Sequence, residues 1–406
     1  MIASALSLLV ASAVTGTYTG TVSFPRAERS DVTVALSQRS AVVTLGPGHV
    51  ARAQVPLTRS NGTISFASPG LPVNVRFSLR KKGAKLVGTA TQGTARGTAT
   101  LHRGTSVDTK LGYFSSPSVE VARFTRFGFS TRPIAIDSVT GAFVPLPSSA
   151  TRVAVRQFDV RFRSGSATLA GTLTLPPGDG PFPAAVYVSG SGPTLREESH
   201  WLDGLLVSHD IAVLAYDKRG IGQSGGFYAG DLATDGTIDQ LAGDTVAAAR
   251  FLRAQAHIDP TRVGLYGLSQ GGWIIPQAAV RAGTAVSWAV IESGPTVTEG
   301  EADTFAQLAA TTTLAQAGQQ ARASAGGYDP RPWLDRLAIP VLWLYGGNDH
   351  AQPTEHSLEI VRSLESRHSF TDALFPGAPH PLLDAGGFAR GVFPTILDWL
   401  RGNGLS

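Results

Sequence analysis

From residue 155 to the C-terminus, short apolar segments alternate with longer segments of helical periodicity, and this alternation narrows the choice of folds more than any other feature. The first two segments, 155–162 and 167–175, form a predicted hairpin. The others have the length of buried strands and lie at 184–188, 211–216, 263–266, 286–291, 341–345 and 371–375. The clearest helical segment is 238–254, which ends before Asp259-Pro260. Strands that alternate with helices form a mostly parallel sheet covered on both faces, so we predict an α/β domain over residues 151–406.

The preceding part of the chain has a different character. Between residues 16 and 112, segments rich in Val, Thr and Phe alternate in polarity and are separated by Gly, Pro and Asn. Such segments predict a small all-β sandwich or barrel. The predicted strand segments are 18–24, 31–36, 41–45, 63–66, 73–79 and 86–101. Residues 113–150 are irregular and rich in proline and serine, and we predict a linker there, with a strand within 119–129 as an alternative.

Composition excludes several classes of protein. The 406 residues are 42% hydrophobic and 16% charged, which is typical of a globular chain of about two domains. The net charge of +4 is not concentrated in a Lys/Arg block, so nucleic-acid binding is not expected. The absence of cysteine excludes disulfides and thiolate chemistry. No apolar segment is long enough to predict an integral membrane protein.

Residues 1–15 predict a signal-peptide remnant. An apolar run over 2–14 ends in Ala11-Ser12-Ala13, which has the small-x-small form of a cleavage site. A basic segment before it is missing, so either the true start lies upstream or this run is a core strand. This pattern predicts export to an extracellular or periplasmic location, with a cytoplasmic location as the alternative.

Two Gly-x-Ser-x-Gly sequences occur, in different contexts. In Gly267-Leu268-Ser269-Gln270-Gly271 an apolar strand runs directly into an apolar helical segment. A serine on such a bend has an exposed hydroxyl, and the flanking glycines avoid a clash in the turn. The second sequence, 222–226, has no strand directly before it and no helix after it. We therefore predict Ser269 as a nucleophile and Ser224 as a turn residue.

A serine hydroxyl needs a base to take its proton and an acid to orient that base. After a strand-to-helix serine, both are expected at the ends of later strands, in the order acid and then histidine. Asp349 follows the apolar segment 341–345, and His380 lies in a loop after 371–375. We predict Asp349 as the orienting carboxylate and His380 as the base.

Four other residues compete for these roles. His350 directly follows Asp349 and would have to fold back on its neighbour, while His356 and His368 belong to a helical segment and its end. Glu292, at the tip of the sixth predicted strand of the α/β domain, is the best alternative acid.

The loop Ser189-Gly190-Ser191-Gly192-Pro193 follows the third strand of this domain. A tetrahedral oxyanion requires backbone N–H donors, one from the residue after the nucleophile and one from this loop. The predicted donors are Gln270 and Ser191. An ordinary glycine-rich turn is the alternative interpretation of the loop.

Together these motifs resemble the α/β-hydrolase family, and most of all bacterial serine esterases and thioesterases. The resemblance rests on the loop 189–193, on Tyr-Asp-Lys-Arg-Gly-x-Gly-x-Ser at 216–224 and on the elbow 267–272, within the last three-fifths or so of the chain. It implies an eight-stranded, mostly parallel sheet, a triad without metal or nucleotide cofactor, and hydrolysis of an acyl bond. Ser189 stands where many members have histidine. The segment 296–332 is short for a cap and is predicted to form one helix at 301–322.

The predicted function is hydrolysis of a small-molecule carboxylic ester through an acyl-enzyme. An acyl thioesterase or a small-substrate peptidase would use the same residues, and the peptidase is disfavoured because the all-β region is short for a substrate-filtering propeller. A non-catalytic binding protein that kept the fold is a further alternative, against which the complete set of triad residues argues.

Overall fold

A computed structural model describes residues 16–23, 30–36, 40–45, 53–68, 75–103, 113–116, 119–125, 134–137, 139–145, 148–153, 155–230, 232–384 and 386–406. The chain divides into two compact units, Met1–Asp108 and Thr109–Ser406. The predicted signal-peptide remnant, 1–15, lies outside the described residues.

The first unit contains a closed antiparallel barrel of eight strands, in which each strand pairs with the next and the first with the last. The strands are β1 (Gly16–Ser23), β2 (Ser30–Leu36), β3 (Ser40–Leu45), β4 (Ala53–Ser60), β5 (Thr63–Ser68), β6 (Val75–Lys82), β7 (Lys85–Gln92) and β8 (Ala95–Arg103). Val75, Phe77 and Leu79 are buried inside and alternate with exposed residues. The all-β prediction is therefore confirmed, as a barrel. The sequence missed β4, which contains Pro56, and merged the hairpin β7–β8 into one segment.

Five short strands follow at the start of the second unit and form one sheet in the order β12-β11-β10-β9-β13. They are β9 (Tyr113–Ser116), β10 (Val119–Thr125), β11 (Ile134–Ile136), β12 (Phe143–Pro145) and β13 (Thr151–Arg152). The structure thus differs from the predicted linker at 113–150. Ile136 is buried in the same cluster as Trp201 and Phe388, so this stretch is part of the packed unit. The alternative strand at 119–129 overlaps β10, whereas the other strands escape detection because they are short and separated by proline and serine.

The centre of the second unit is an eight-stranded sheet in the order β14-β15-β17-β16-β18-β19-β20-β21. Its strands are β14 (Arg156–Ser164), β15 (Ala167–Leu175), β16 (Phe182–Val188), β17 (Ala212–Tyr216), β18 (Ile258–Leu268), β19 (Trp288–Glu292), β20 (Val341–Gly346) and β21 (Phe370–Phe375). The pairings β14–β15 and β15–β17 are antiparallel, and the others are parallel. This arrangement confirms the predicted α/β-hydrolase fold.

Helices cover both faces of this sheet. They are α1 (His200–Val207), α2 (Asp235–Arg253), α3 (Gly271–Ala282), α4 (Glu299–Ala309), α5 (Leu314–Ala321), α6 (Arg331–Leu334), α7 (Thr354–Leu364) and α8 (Val392–Gly402), and a small hairpin consists of β22 (Leu383–Asp384) and β23 (Gly387–Phe388). Val186 packs in the cluster that includes α2 and α3, whereas its neighbour Tyr187 packs in the cluster with α1 and α8. Because both faces are buried, the inner strands β16, β17, β19 and β20 read as nearly continuous apolar runs. Among the described helices, none combines the length and hydropathy needed to cross a bilayer.

The single helix predicted at 301–322 is wrong, since two helices, α4 and α5, occupy this stretch. The second begins at a capping box in which the Thr313 side chain accepts from Gln316 N–H and the Gln316 side chain accepts from Thr313 N–H. Threonine competes with a continuous helix by forming such caps, and that accounts for the break.

Candidate active site

The turn between β18 and α3 holds Ser269 in the left-handed region, with a φ of 52°. Ser269 N–H donates to the Glu292 carbonyl oxygen of the neighbouring strand at 2.8 Å, and Gly272 N–H donates to the Ser269 carbonyl oxygen at 2.8 Å. A non-glycine residue in this conformation is strained, and strain of this kind is concentrated at functional sites. The turn therefore places the serine side chain on a rigid, sharply bent support.

Close packing explains the glycines of the turn. A Cβ added at Gly267 would lie 2.4 Å from Ile275 Cδ1, and one added at Gly272 would lie 2.6 Å from the backbone of Gly294. At Gly271 the nearest atom would be the Val188 carbonyl oxygen at 3.4 Å, an ordinary contact. The motif suggests that Gly271 is the required glycine after the serine. Packing instead requires glycine at position 272.

The structure brings together the three side chains predicted to form a triad. Ser269 Oγ lies 3.0 Å from His380 Nε2, and His380 Nδ1 lies 2.8 Å from Asp349 Oδ2. Asp349 is buried, whereas Ser269 and His380 are partly exposed. The other carboxylate oxygen of Asp349 accepts from the N–H groups of Ala351 and Gln352, at 2.7 and 2.9 Å. These two bonds fix the carboxylate so that its remaining oxygen faces the imidazole.

The competing histidines have other partners. His350 Nδ1 lies 3.2 Å from the Ala309 carbonyl oxygen, His356 Nδ1 lies 2.5 Å from Glu301 Oε1, and His368 Nδ1 lies 2.8 Å from the Leu337 carbonyl oxygen. Each ring is thereby oriented toward a group outside the Ser269 turn.

Glu292, the alternative acid, is buried beside Tyr266. Tyr266 OH donates to Glu292 Oε2 at 2.9 Å, and Glu292 Oε1 has no hydrogen-bond partner among the described residues. Burial raises the pKa of Glu292 to about 8, against the opposing effect of the bond from Tyr266. At neutral pH this side chain is therefore mostly a neutral acid, which is unsuited to orient a protonated imidazole.

Ser224 has a structural environment. Its Oγ donates to the Asp217 carbonyl oxygen at 2.6 Å and accepts from Ala170 N–H at 2.9 Å. Both capacities of the hydroxyl are used inside the fold, in agreement with its prediction as a turn residue.

The two predicted oxyanion donors belong to segments that flank Ser269. A Cβ added at Gly190 would lie 3.3 Å from Ser269 Cβ, so the loop 189–193 lies directly against the serine. Ser191 is an exposed residue of this loop, and Gln270 is buried at the N-terminus of α3. Donation by their N–H groups to a substrate oxygen stays a prediction.

Sequence reasoning assigned no role to Lys218, which lies between these two segments. Its ammonium Nζ donates to the carbonyl oxygens of Gly190 at 2.7 Å and Gly192 at 3.2 Å, and to Gln270 Oε1 at 3.1 Å. The side chain is only 3% exposed. A lysine two residues after the end of the apolar strand β17 was the available signal. A lysine so close to a buried strand can itself be buried, and a buried ammonium requires a set of acceptors.

Comparison with known proteins places residues 198–403, just over half of the chain, within the model of the prolyl oligopeptidase family. The chain is similar to the esterase EstD of Thermotoga maritima, with 26% identity over 253 residues, which are 54% of this chain and 59% of that protein. The chain thus spans about three-fifths of the length of this relative.

Two solved structures are similar in fold. An esterase of Pyrococcus furiosus is 16% identical, with coverage of 62% of this chain and 89% of that chain and a TM-score of 0.46. The acylaminoacyl peptidase of Pyrococcus horikoshii is 13% identical, with coverage of 94% and 70% and a TM-score of 0.48. The family match includes Ser269, Asp349 and His380 and the strands and helices that carry them. The chain belongs to the prolyl oligopeptidase family, and its second unit has the α/β-hydrolase fold of that family.

Proposed function

We propose that the protein is a serine hydrolase that cleaves carboxylic esters through an acyl-enzyme. The observation that carries this proposal is the continuous hydrogen-bond chain from Asp349 through His380 to Ser269, with distances of 2.8 and 3.0 Å. A serine, an imidazole and a carboxylate in this order form the arrangement that activates a hydroxyl for attack on a carbonyl carbon.

In the first half-reaction, Ser269 Oγ forms a bond to the carbonyl carbon of the ester while His380 Nε2 takes the hydroxyl proton. The carbonyl π electrons move to oxygen, and the N–H groups of Gln270 and Ser191 stabilise the resulting oxyanion. Collapse of this intermediate breaks the bond to the alcohol oxygen, which receives the proton from His380. Asp349 keeps the imidazole oriented and stabilises its charged form.

In the second half-reaction, water takes the place of the alcohol. His380 accepts a proton from water as the oxygen attacks the acyl carbon, and it returns this proton to Ser269 Oγ when the acid leaves. Atoms and charge balance with water as the only co-reactant.

Small or medium acyl esters are the proposed substrate class, with acyl thioesters as a close alternative. The similarity to the esterase EstD supports the ester. The match to the prolyl oligopeptidase family favours a second candidate, a peptidase for small substrates, which would use the same residues on an amide bond.

A panel of aryl esters of graded chain length, acyl-CoA thioesters and peptide anilides tests these candidates. We expect the highest kcat/KM on a short aryl ester. A higher kcat/KM on a peptide anilide would establish the peptidase, and no turnover of any of the three classes would refute the proposal.

The variant Ser269→Ala should lose both turnover and labelling by a fluorophosphonate, because it removes the attacking oxygen. Ser224→Ala is the matched control, since it alters the other Gly-x-Ser-x-Gly sequence and should keep both. Fluorophosphonate attached to Ser224 would overturn the assignment.

A further inference from the structure

Lys218 connects two separate segments beside the proposed nucleophile. Its ammonium donates to two carbonyl oxygens of the loop 189–193 and to the side chain of Gln270, at distances between 2.7 and 3.2 Å. An ammonium has three N–H donors, so it can bond to acceptors from both segments at once. One buried charge thus ties the loop after β16 to the N-terminus of α3.

The hydrogen bond from Lys218 to the Gly190 carbonyl oxygen also restricts the orientation of the Ser191 N–H. The Gly190 carbonyl and the Ser191 N–H belong to one planar trans peptide unit, in which the C=O and N–H bonds point in opposite directions. Lys218 holds the Gly190 oxygen at 2.7 Å, and this fixes the direction of the Ser191 N–H as well. That N–H is one of the two donors proposed for the oxyanion.

The bond to Gln270 acts on the second donor residue. Gln270 Oε1 accepts from Lys218 at 3.1 Å, and the residue is 1% exposed. Its side chain therefore anchors the same residue whose N–H follows Ser269 in the turn. The loop and the turn are held in register through a single ammonium group.

The choice of lysine is itself informative. Lys218 is the only lysine after residue 110, although this part of the chain contains many arginines. A guanidinium presents its donors in a flat fork, whereas an ammonium directs three donors from one point. The acceptors from the loop 189–193 and from Gln270 surround a single point, and this arrangement suits an ammonium better than a guanidinium.

We infer that Lys218 is the positioning residue of the oxyanion hole, which sets the Ser191 and Gln270 N–H groups relative to each other. This inference rests on the proposed function. Lys218 also supports a loop in which Ser189 takes the place of the histidine that the family resemblance leads one to expect. Ser189 Oγ accepts from the Thr194 hydroxyl at 2.7 Å, while Lys218 holds the carbonyl oxygens of Gly190 and Gly192.

The test compares Lys218→Met and Lys218→Arg with the full-length wild type on a short aryl ester. Loss of one oxyanion donor costs about 10²- to 10³-fold in kcat, so Lys218→Met should lose about 10²-fold in kcat with KM changed by less than about threefold. Lys218→Arg should not restore kcat, because the planar fork cannot reach all three acceptors. Restoration by arginine would show that a positive charge alone suffices and would overturn the inference.

Ser224→Ala is the structural control, because Ser224 supports the same turn through the Asp217 carbonyl and has no hydrogen bond to the loop 189–193 among the described residues. It should keep kcat even if the melting temperature falls. A second measurement uses an aryl trifluoromethyl ketone, which Ser269 converts into a hemiketal oxyanion. Its affinity should fall in Lys218→Met by the same factor as kcat/KM.

The outcomes separate this inference from the proposed function. A wild type without esterase, thioesterase or peptidase activity contradicts the function, whereas an active wild type with an equally active Lys218→Met contradicts the role of Lys218. If Lys218→Met does not fold, a crystal structure of the wild-type ketone adduct tests the positioning role of Lys218 instead. The hemiketal oxygen should lie within hydrogen-bond distance of Ser191 N and Gln270 N, and direct contact with Lys218 Nζ would make Lys218 a catalytic residue and overturn the positioning role.

Discussion

At the residue scale, the base and its orienting acid contribute unequally to the proposed reaction. His380→Ala removes the proton acceptor, and we expect kcat to fall by about 10⁴-fold or more. Asp349→Asn keeps the nucleophile and the ring and should lose less, whereas Glu292→Gln should stay within about threefold of the wild type. Steady-state kinetics on a short aryl ester measure all three. An inactive Glu292→Gln beside an active Asp349→Asn would move the acid to β19.

Glu292 also predicts how stability depends on pH. Its pKa is raised from the ordinary 4.5 to about 8 by burial, so the folded state binds the proton more tightly than the unfolded state. The stabilising contribution of Glu292 to the free energy of unfolding is therefore fully present below about pH 4.5 and is lost as the pH rises through about 8. At about 1.4 kcal/mol per pKa unit, the loss is on the order of a few kcal/mol.

Urea unfolding at pH 5, 7 and 9 measures this effect, and all six tryptophans lie in the second unit, so their fluorescence reports on it alone. Relative to the wild type, Glu292→Gln should gain stability at pH 9 compared with pH 5. Parallel pH profiles for wild type and Glu292→Gln would contradict the burial argument.

At the element scale, the N-terminus of α3 packs against the backbone after β19. A Cβ at Gly272 would lie 2.6 Å from Gly294 Cα, whereas one at Gly271 would meet the Val188 carbonyl oxygen at 3.4 Å. Overpacking of this kind costs about 1–3 kcal/mol, so Gly272→Ala should reduce the free energy of unfolding by at least that amount. Gly271→Ala should be neutral or slightly stabilising, because alanine favours a helix. Equal effects in urea unfolding would contradict the packing model.

Long buried strands and the triad residues that follow them could be predicted from the sequence, whereas short strands, helix breaks and long-range contacts could not. The inner strands β16, β17, β19 and β20 are apolar runs buried on both faces, and such runs stand out in the sequence. Ser269, Asp349 and His380 could be chosen because each follows a recognisable strand and the order along the chain is restricted. The strands β9, β11, β12 and β13 are too short to show a period, and the break between α4 and α5 depends on a cap. The contacts of Lys218 join residues 28 and 52 positions apart, which no local pattern encodes.

At the scale of the whole molecule, the boundary between the units decides which part of the chain can act alone. Every residue of the proposed site lies in Thr109–Ser406. The strands β9–β12 belong to that unit as well: Phe143 N–H donates to the Gly386 carbonyl oxygen, and Phe388 N–H donates to the Gly141 carbonyl oxygen, both at 2.9 Å. Phe388 in turn packs on Trp201 of α1, with ring centroids 4.8 Å apart.

These contacts predict different outcomes for two truncated proteins. A protein that begins at Thr109 keeps the second unit whole, and we expect a folded enzyme with kcat on an aryl acetate within about tenfold of the full chain. A protein that begins at Ala150 loses Ile136 from the core and the partners of Gly386 and Phe388, a few residues beyond His380. It should unfold at a clearly lower temperature, because large apolar side chains lose their cover. Circular dichroism, tryptophan fluorescence and kcat on the acetate distinguish the two. Equal melting temperatures would show that residues 109–149 act only as a linker, and a folded but inactive protein beginning at Thr109 would show that the first unit completes the active site.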